Sequence, residues 1–496
     1  MNDPPPPTKN GSTCEEDKQQ EEQKMLGRSA ADMGGDSRGT LTSHHYHQAP
    51  RPLEMSSSAA QSFANVAPAE WPALFKAKLQ VAATEMDVAA TPFDLVNYKS
   101  GVLRELVQFV SECHRLPFDL EPWHGGIVDV FRANVFQDSG PPVNPIGAVY
   151  DPEEDEPVMD TDWPHLQLVY ELFIRFLESP KFNANGCRPS IGSNFIAALL
   201  RVFDSEDPRV RECAKTTLHR VYGKFLQLRP LVRKMIQNVF MECIEEDELQ
   251  SCAHSKCASV RHNCAELLEI LGSIVNGFAV PLREEHRSFL LRTLLPMHKC
   301  RSLGLFHPQL LYCVVQFVEK DANLTGPVVQ TLFRLWPKTH SVKQVLFLNE
   351  LEQILDLCEP VQFAPLAPQL ARRLATCISS AHFQVAERAL TILATNDYVG
   401  QLVQANAREM LPVLFPALNE HSRRHWNRNV QTMALAVLKM LMDTSPQLFE
   451  EAMQNALSSP PPPTTTAAAA SFGEGVRKKS ILTTTTTTTP EFNSNN

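Results

Sequence analysis

Apolar side chains recur along most of the chain at the spacing i, i+3, i+4 and i+7, which is typical of amphipathic helices. Phe195–Phe203 places its apolar residues on one helical face, and Val210–Phe225 repeats the pattern. Between these runs, Asp207 is a helix-capping residue type, and Pro208 suits the first turn of a helix. Strand-like alternation is rare and glycine is scarce between residues 69 and 457. The pattern therefore predicts an all-α core built from helix pairs.

Four later segments repeat this arrangement, at residues 287–320, 324–358, 363–394 and 405–443. Their predicted turns lie before His307, at His340–Ser341, at Ser379–His382 and near Arg424–His425. From His307, the second helices begin again after 34, 41 and 43 residues. These intervals are close to the period of about 40–47 residues of HEAT repeats. Each pair has two apolar faces that only its neighbours can cover, so we predict an α-solenoid of HEAT-like repeats.

The two ends of the chain have a different composition. Residues 1–68 mix prolines, Gln/Glu runs and a histidine cluster, and residues 458–496 contain Pro460–Pro463 and Thr483–Thr489. Such segments cannot bury enough apolar surface to offset the entropy lost on ordering. We therefore predict two disordered tails around a solenoid domain at residues 69–457.

Composition and charge exclude several classes of protein. The chain has 496 residues, 43% of them hydrophobic, and a formal net charge of −10. A general nucleic-acid binder needs a basic surface, which this charge argues against. There is no run of 18 apolar residues and no signal-peptide pattern at the N-terminus, so we expect neither membrane insertion nor secretion. We expect a soluble intracellular protein of the cytoplasm, with the nucleus as a second location left open.

The cysteines fit a reducing compartment. Most of the 12 lie in apolar periodic stretches. Examples are Cys113, Cys213, Cys243, Cys313 and Cys377. Such cysteines behave as small buried hydrophobic residues rather than as disulfide partners.

The familiar catalytic templates are missing from the sequence. It contains no glycine-rich phosphate loop, no G-x-S-x-G and no H-E-x-x-H, so we expect neither enzyme activity nor a cofactor. Several histidines fall at predicted helix turns, where capping or packing explains them. One cluster could hold Zn²⁺, formed by Cys252, His254, Cys257, His262 and Cys264. Its spacing matches no common zinc finger, and the preferred interpretation is a loop between helices; catalytic zinc is the enzymatic alternative.

An acidic run stands out between Pro152 and Pro157. It consists of Asp151, Glu153, Glu154, Asp155 and Glu156. The run is either a solvated loop or a charged arm that meets a basic surface of a partner.

Basic and aromatic residues form a second group. His219, Arg220 and Tyr222 lie on one predicted helix, and Arg229 lies just beyond it. Ile270, Ile274, Arg283 and His286 lie on the following helix pair. Stacked repeats would bring these residues to one face, where they would suit an acidic and apolar peptide. The alternative is that the two isoleucines simply belong to the core.

Long motifs that are spread over the chain carry a resemblance to one known family. One such motif joins Asp151–Pro157 to Trp163–Glu171. The others are Phe203–Pro208 (FDSEDP), Thr216–Phe225 (TTLHRVYGKF), Glu266–Phe278 (ELLEILGSIVNGF), Tyr312–Lys320 (YCVVQFVEK), Trp336–His340 (WPKTH), Phe347–Leu351 (FLNEL) and His382–Leu390 (HFQVAERAL). These motifs resemble the B-prime regulatory subunits of serine/threonine protein phosphatase 2A. The resemblance covers residues 70–455 and leaves only the ends outside.

This resemblance implies a curved solenoid of about eight HEAT-like repeats without catalytic activity of its own. It implies two partners, a scaffold subunit and a metal-dependent catalytic subunit, with the acidic run at the interface of that assembly. It also implies recognition of short substrate motifs of the form Leu-x-x-Ile-x-Glu, often strengthened by phosphorylation. The alternative function is a HEAT-repeat scaffold or transport adaptor unrelated to the phosphatase.

The residues of the family's motif pocket can be carried over one by one. Those that match here are Thr216, His219, Arg220, Tyr222, Arg229, Glu269, Ile270, Ile274 and His286. At Arg283 the family usually has lysine, which keeps the charge and changes the hydrogen-bond geometry.

An insertion of roughly eleven residues relative to the family, around residues 246–261, precedes the helix that carries Ile270 and contains most of the Cys/His cluster.

Overall fold

The structure is a computed structural model, and it describes residues 56–112, 120–137, 156, 158–252 and 264–458. Over these ranges the chain is helical and contains no β-strand, which confirms the all-α prediction. Within the same ranges, no helix is both long and apolar enough to cross a lipid bilayer.

The α-helices follow one another with short connections. They are α1 (Trp71–Ala82), α2 (Phe93–Ser111), α3 (His124–Val135), α4 (Trp163–Glu178), α5 (Ala184–Cys187), α6 (Ser193–Val202), α7 (Pro208–Lys224), α8 (Arg229–Cys252), α9 (Cys264–Asn276), α10 (Glu284–Phe289), α11 (Leu303–Lys320), α12 (Thr325–Arg334), α13 (Ser341–Asp356), α14 (Pro360–Phe363), α15 (Ala367–Ile378), α16 (Phe383–Thr395), α17 (Asp397–Ala405), α18 (Ala407–Arg424), α19 (Arg428–Thr444) and α20 (Pro446–Ser458). A π-helix at Leu290–Leu294 and a 3-10 helix at Leu295–Lys299 link α10 to α11.

Helices pack in two layers, as stacked helix pairs require. In the described part of the chain, eight helices form one layer in which each contacts the next, in the order α2, α4, α7, α9, α11, α13, α16 and α19. The second layer covers this row, for example where α6 contacts α8 and where α15 contacts α18. One hydrophobic core runs between the layers, because every pair buries one face against its partner and another against its neighbours.

Capping residues begin the second helix at two of the predicted turns. The Asp207 carboxylate accepts a hydrogen bond from the Arg209 amide at 2.8 Å and begins α7. His340 Nδ1 accepts a bond from the Lys343 amide at 3.2 Å and begins α13. These contacts satisfy backbone donors that the first turn of a helix leaves without intrahelical partners.

One predicted turn was wrong. The sequence placed it directly before His307, whereas α11 already begins at Leu303 and contains Pro308 in its interior. Proline removes one backbone hydrogen bond there, but Leu303 and Phe306 are buried and hold the first turn in place. The interval from the start of α11 to Ser341 is therefore 38 residues rather than 34.

The packed region begins before residue 69, where the sequence placed the boundary. Ala59 is fully buried, and its carbonyl accepts a hydrogen bond from Lys78 Nζ at 2.8 Å. The Phe63 ring stacks on Phe109 with 4.0 Å between centroids. A short segment with one aromatic anchor gives no helical periodicity, so its packing could not be predicted from the apolar pattern.

A charged cluster is buried at the packing of α11 on α13. The Glu350 carboxylate on α13 is fully buried and accepts hydrogen bonds from His298 Nε2 at 2.9 Å and from His307 Nε2 at 3.0 Å. His298 Nδ1 lies 2.8 Å from the carbonyl oxygen of Leu295. Because both ring nitrogens of His298 face acceptors, both carry hydrogen and the ring is an imidazolium.

The cysteines largely behave as predicted. Cys243, Cys313 and Cys377 are buried and Cys213 is half-buried, while Cys113 lies outside the described residues. Burial raises the pKa of the Cys313 thiol to about 12, so it stays protonated. This is the behaviour of a core residue rather than of a reactive thiol.

Two candidate features fall mainly outside the described residues. Of the acidic run, Asp151, Glu153, Glu154 and Asp155 lie outside them, and only Glu156 is described, as an exposed residue. In the Cys/His cluster, Cys252 ends α8 and buried Cys264 begins α9. His254, Cys257 and His262 lie outside. No group of His, Cys, Asp and Glu within the described residues is arranged to hold a metal ion.

Candidate functional site

A groove with a cavity volume of about 600 Å³ lies between consecutive helices of the solenoid. Its walls come from the last turns of α7, the first turns of α8, the end of α9 and the loop that leads into α10. Its lining consists of His219, Arg220, Tyr222, Gly223, Lys224, Arg229, Arg233, Ser273, Ile274, Gly277, Phe278, Ala279, Pro281, Arg283 and His286. The stacking of α7 on α9 thus brings together residues that are far apart in sequence.

Tyr222 organises one wall by positioning two arginines. Its hydroxyl accepts a hydrogen bond from Arg233 Nη1 at 3.1 Å, and its backbone carbonyl accepts one from Arg229 Nε at 3.0 Å. The Arg229 guanidinium also lies over the Tyr222 ring, 5.1 Å from its centroid, in a cation–π contact. Both arginines are therefore held in place, and each keeps further N–H groups for a ligand.

The end of α7 supplies a histidine and another arginine. His219 Nε2 lies 3.2 Å from the Ser273 hydroxyl on α9, which links the two walls. Arg220 Nε donates to Glu178 Oε1 at 2.9 Å, and nearly half of the Arg220 side chain remains exposed. Burial, with a contribution from Arg220, holds the pKa of His219 below its usual value, so His219 is neutral at pH 7.

Opposite this wall, the α10 loop supplies a stacked ring and an exposed guanidinium. The His286 ring stacks on Phe278 with 3.7 Å between centroids and 2° between planes. Arg283 is 78% exposed and reaches into solvent at the rim. Burial lowers the pKa of His286; Glu285 opposes this effect, and Arg233 and Arg283 add to it.

Seven of the ten residues that the sequence singled out line this groove, and three do not. Those that line it are His219, Arg220, Tyr222, Arg229, Ile274, Arg283 and His286. Thr216 lies one turn before Arg220 on α7, outside the lining. Glu269 is exposed on α9, where it pairs with Lys215 at 2.5 Å, and Ile270 is a core residue at 2% exposure. Ile274, at 6% exposure, also belongs to the hydrophobic core, and of the two isoleucines it alone lines the groove.

Sequence reasoning missed several lining residues. Arg233 lies four residues after Arg229 on α8, so helical spacing could have placed both on one face. Lys224 and Ser273 lie on the same helix ends as predicted residues. Phe278 lies in the irregular loop after α9, where no periodic signal exists.

The groove combines an apolar floor with positive charge. Its lining, all of it within the described residues, contains five cationic side chains, namely Arg220, Lys224, Arg229, Arg233 and Arg283, and no carboxylate. Arginine forks recognise carboxylates and phosphates, and Ile274 with Phe278 offers apolar surface between them. An acidic peptide segment with an aliphatic side chain is the ligand class that this combination suits.

Comparison with known proteins places the chain in a family. A sequence model described as protein phosphatase 2A regulatory B subunit (B56 family) matches residues 60–460. The chain belongs to this family. The resemblance drawn from the sequence motifs is thereby confirmed.

Several relatives are similar to this chain over most of its length. The chain is 47% identical over 385 residues to the 56 kDa regulatory subunit delta isoform of serine/threonine-protein phosphatase 2A from Oryctolagus cuniculus, covering 77% of this chain and 63% of that protein. It is 46% identical to the alpha isoform from Mus musculus, covering 76% and 75%. It is 43% identical to the delta isoform from Saccharomyces cerevisiae, covering 80% and 54%. These relatives are named as regulatory subunits, in agreement with the expectation that this chain is not an enzyme.

Among solved structures, a crystal structure of a Kap121p mutant overlaps with this chain at a TM-score of 0.44 and 14% identity, over 79% of this chain and 35% of that one.

Proposed function

We propose that this B56-family chain joins a phosphatase 2A scaffold subunit and catalytic subunit, and that it recruits substrates by binding Leu-x-x-Ile-x-Glu motifs in the α7–α10 groove. The observation that supports the motif site best is the position of Ile274. It is a buried residue that lines the groove at 6% exposure, and the same lining contains Arg220, Arg229 and Arg283. Family membership favours this function over an unrelated transport adaptor.

The chemistry of the groove matches the isoleucine and the glutamate of such a motif. A ligand isoleucine inserted beside Ile274 and Phe278 would gain about 1.5–3 kcal/mol from burial. A ligand glutamate would pair with cations at the rim of the groove, where Arg220 and Arg283 are exposed to solvent. A phosphate near the motif would bind the same cations more strongly, because it carries about two negative charges.

Fluorescence-anisotropy titration with a labelled Leu-x-x-Ile-x-Glu peptide tests the motif site. We expect Arg220→Glu to weaken binding more than Arg220→Ala, because reversal turns an attraction into a repulsion. Arg201→Glu is the matched control, since Arg201 is exposed on α6 and does not line the groove. Unchanged affinity in a folded Arg220→Glu variant would place the motif site elsewhere.

Co-purification with the scaffold and catalytic subunits tests assembly. We expect the Arg220 variants to assemble normally, which also serves as their folding control. The acidic run is proposed to contribute to this interface, so Glu153→Lys, Glu154→Lys and Glu156→Lys in one chain should weaken assembly, more so at low salt. If the parent and the triple variant assemble equally well at low and moderate salt, the acidic run is only solvated surface and does not contribute to the interface.

A further inference from the structure

A carboxylate of the chain itself stands at the rim of the groove. Glu285 Oε1 lies 3.3 Å from His286 Nε2, 3.7 Å from Arg283 Nη1 and 4.0 Å from Arg233 Nη2. All three of these partners line the groove, whereas Glu285 does not. One internal anion therefore faces three of the donors that an acidic ligand would use.

These contacts leave Glu285 easy to displace. Its side chain is 58% exposed, and its distances of 3.3–4.0 Å exceed the 2.7–2.9 Å of a tight charge-assisted hydrogen bond. Two of its three partners do not depend on it for position, because Arg233 is held by the Tyr222 hydroxyl and His286 by its stack on Phe278. Rotation of Glu285 into water would free the donors without disturbing the walls.

We propose that Glu285 is an internal competitor, which occupies in the free protein the position that an acidic side chain of the peptide takes in the complex. This inference rests on the proposed function of the groove. A ligand carboxylate must displace Glu285, or bind beside it against the repulsion of two like charges. A neutral ligand meets no such competition. Glu285 thus lowers the preference of the groove for acidic over neutral peptides and keeps acidic ligands in faster exchange.

The adjacent residue offers a matched control. Glu284 carries the same charge, is 85% exposed and has Arg287 at 3.9 Å as its ion-pair partner. Arg287 is itself held by Asp321 at 2.8 Å and does not line the groove. Glu284→Gln therefore changes the net charge as Glu285→Gln does, and it leaves the groove donors unaffected.

The test uses the full chain and two labelled peptides, one with Leu-x-x-Ile-x-Glu and one with glutamine in place of the glutamate. Anisotropy titrations give the ratio of the two affinities in the parent, Glu285→Gln and Glu284→Gln. We expect Glu285→Gln to raise this ratio by about 3- to 10-fold at low salt, with a smaller gain at high salt, and Glu284→Gln to change it by less than about twofold.

The outcomes separate this inference from the function on which it rests. If the parent binds the glutamate peptide and Arg220→Glu abolishes binding, the groove is the motif site. An unchanged or lower ratio in Glu285→Gln then overturns the competitor role alone. An equal rise in both glutamate variants also overturns it, because net charge would explain the gain. Absence of binding to the parent overturns both proposals.

Discussion

The α7–α10 groove and the His298–Glu350–His307 cluster use the same residue types in two different ways. In the cluster, every charge is buried and faces an internal partner, and Glu350 has no exposed side-chain surface. In the groove, Arg220 and Arg283 are 48% and 78% exposed and meet carboxylates that water can replace. Burial makes a histidine–glutamate contact part of the fold, whereas exposure leaves its donors available to a ligand.

The largest expected effect comes from removing the buried charge. Glu350→Gln leaves the His298 imidazolium without its counterion, and an uncompensated buried charge costs about 3–5 kcal/mol of unfolding free energy. Thermal and urea unfolding midpoints should fall clearly. The same substitution at the groove rim, Glu285→Gln, should change stability by less than about 0.5 kcal/mol. Equal unfolding midpoints for Glu350→Gln and Glu285→Gln would contradict the claim that the buried contact stabilises the fold and the exposed contact does not.

The histidines of the buried cluster and of the groove should respond to pH in opposite ways. Burial disfavours the charged form of His298, but the Glu350 carboxylate and the Leu295 carbonyl hold its pKa above the usual value. A raised folded-state pKa gives stability that is complete below the unfolded value and is lost as pH rises through the folded value. His219 and His286 have lowered pKa values, so they contribute little charge at pH 7 and gain it only in more acidic solution.

Peptide affinity should therefore rise in mildly acidic solution. Because burial holds the pKa of both rings below the usual histidine value, His219 and His286 gain positive charge beside the ligand carboxylate only as the pH falls below about 6.5, and we expect affinity to rise there by about two- to fivefold. Below about pH 4.5 the ligand glutamate itself protonates and the gain reverses. The double variant His219→Gln, His286→Gln should show a flat profile between pH 7.5 and 5.5 in the same titration. A parent profile that is equally flat would contradict the electrostatic role of these rings.

Helix boundaries show how much of the fold the sequence could predict. The pair α12–α13 was predicted correctly, because His340 and the apolar periodicity mark its turn. The start of α11 differs from the prediction, because Pro308 indicates a helix boundary in the sequence, whereas buried neighbours tolerate it inside the helix. A single capping residue or proline predicts a turn correctly only when the packing of the surrounding side chains also favours a turn there.

Helical spacing predicts candidate site residues best where regular helices carry them. His219, Arg220 and Ile274 lie at helix positions whose faces follow from spacing. Ile270 and Ile274 lie one turn apart on α9 and both belong to the core, and the helical spacing does not reveal that only Ile274 also lines the groove. Glu285 gave no sequence signal as a competitor, because its contacts depend on the path of the loop before α10.

The smallest expected effect concerns the guanidinium at the most exposed position of the rim. Arg283 is 78% exposed and its ion-pair partner is Glu285 at 3.7 Å. Lysine keeps the positive charge and loses the planar fork that binds two oxygens at once. Arg283→Lys should therefore change affinity for the glutamate peptide by less than about twofold, and should weaken a phosphorylated peptide by about threefold, because phosphate offers more oxygens to the fork. Arg283→Ala is the reference for loss of charge and should weaken both peptides. If Arg283→Lys affects the two peptides equally, Arg283 acts as a point charge, and the geometry of the groove's phosphate recognition resides in Arg229 and Arg233, which Tyr222 holds in place.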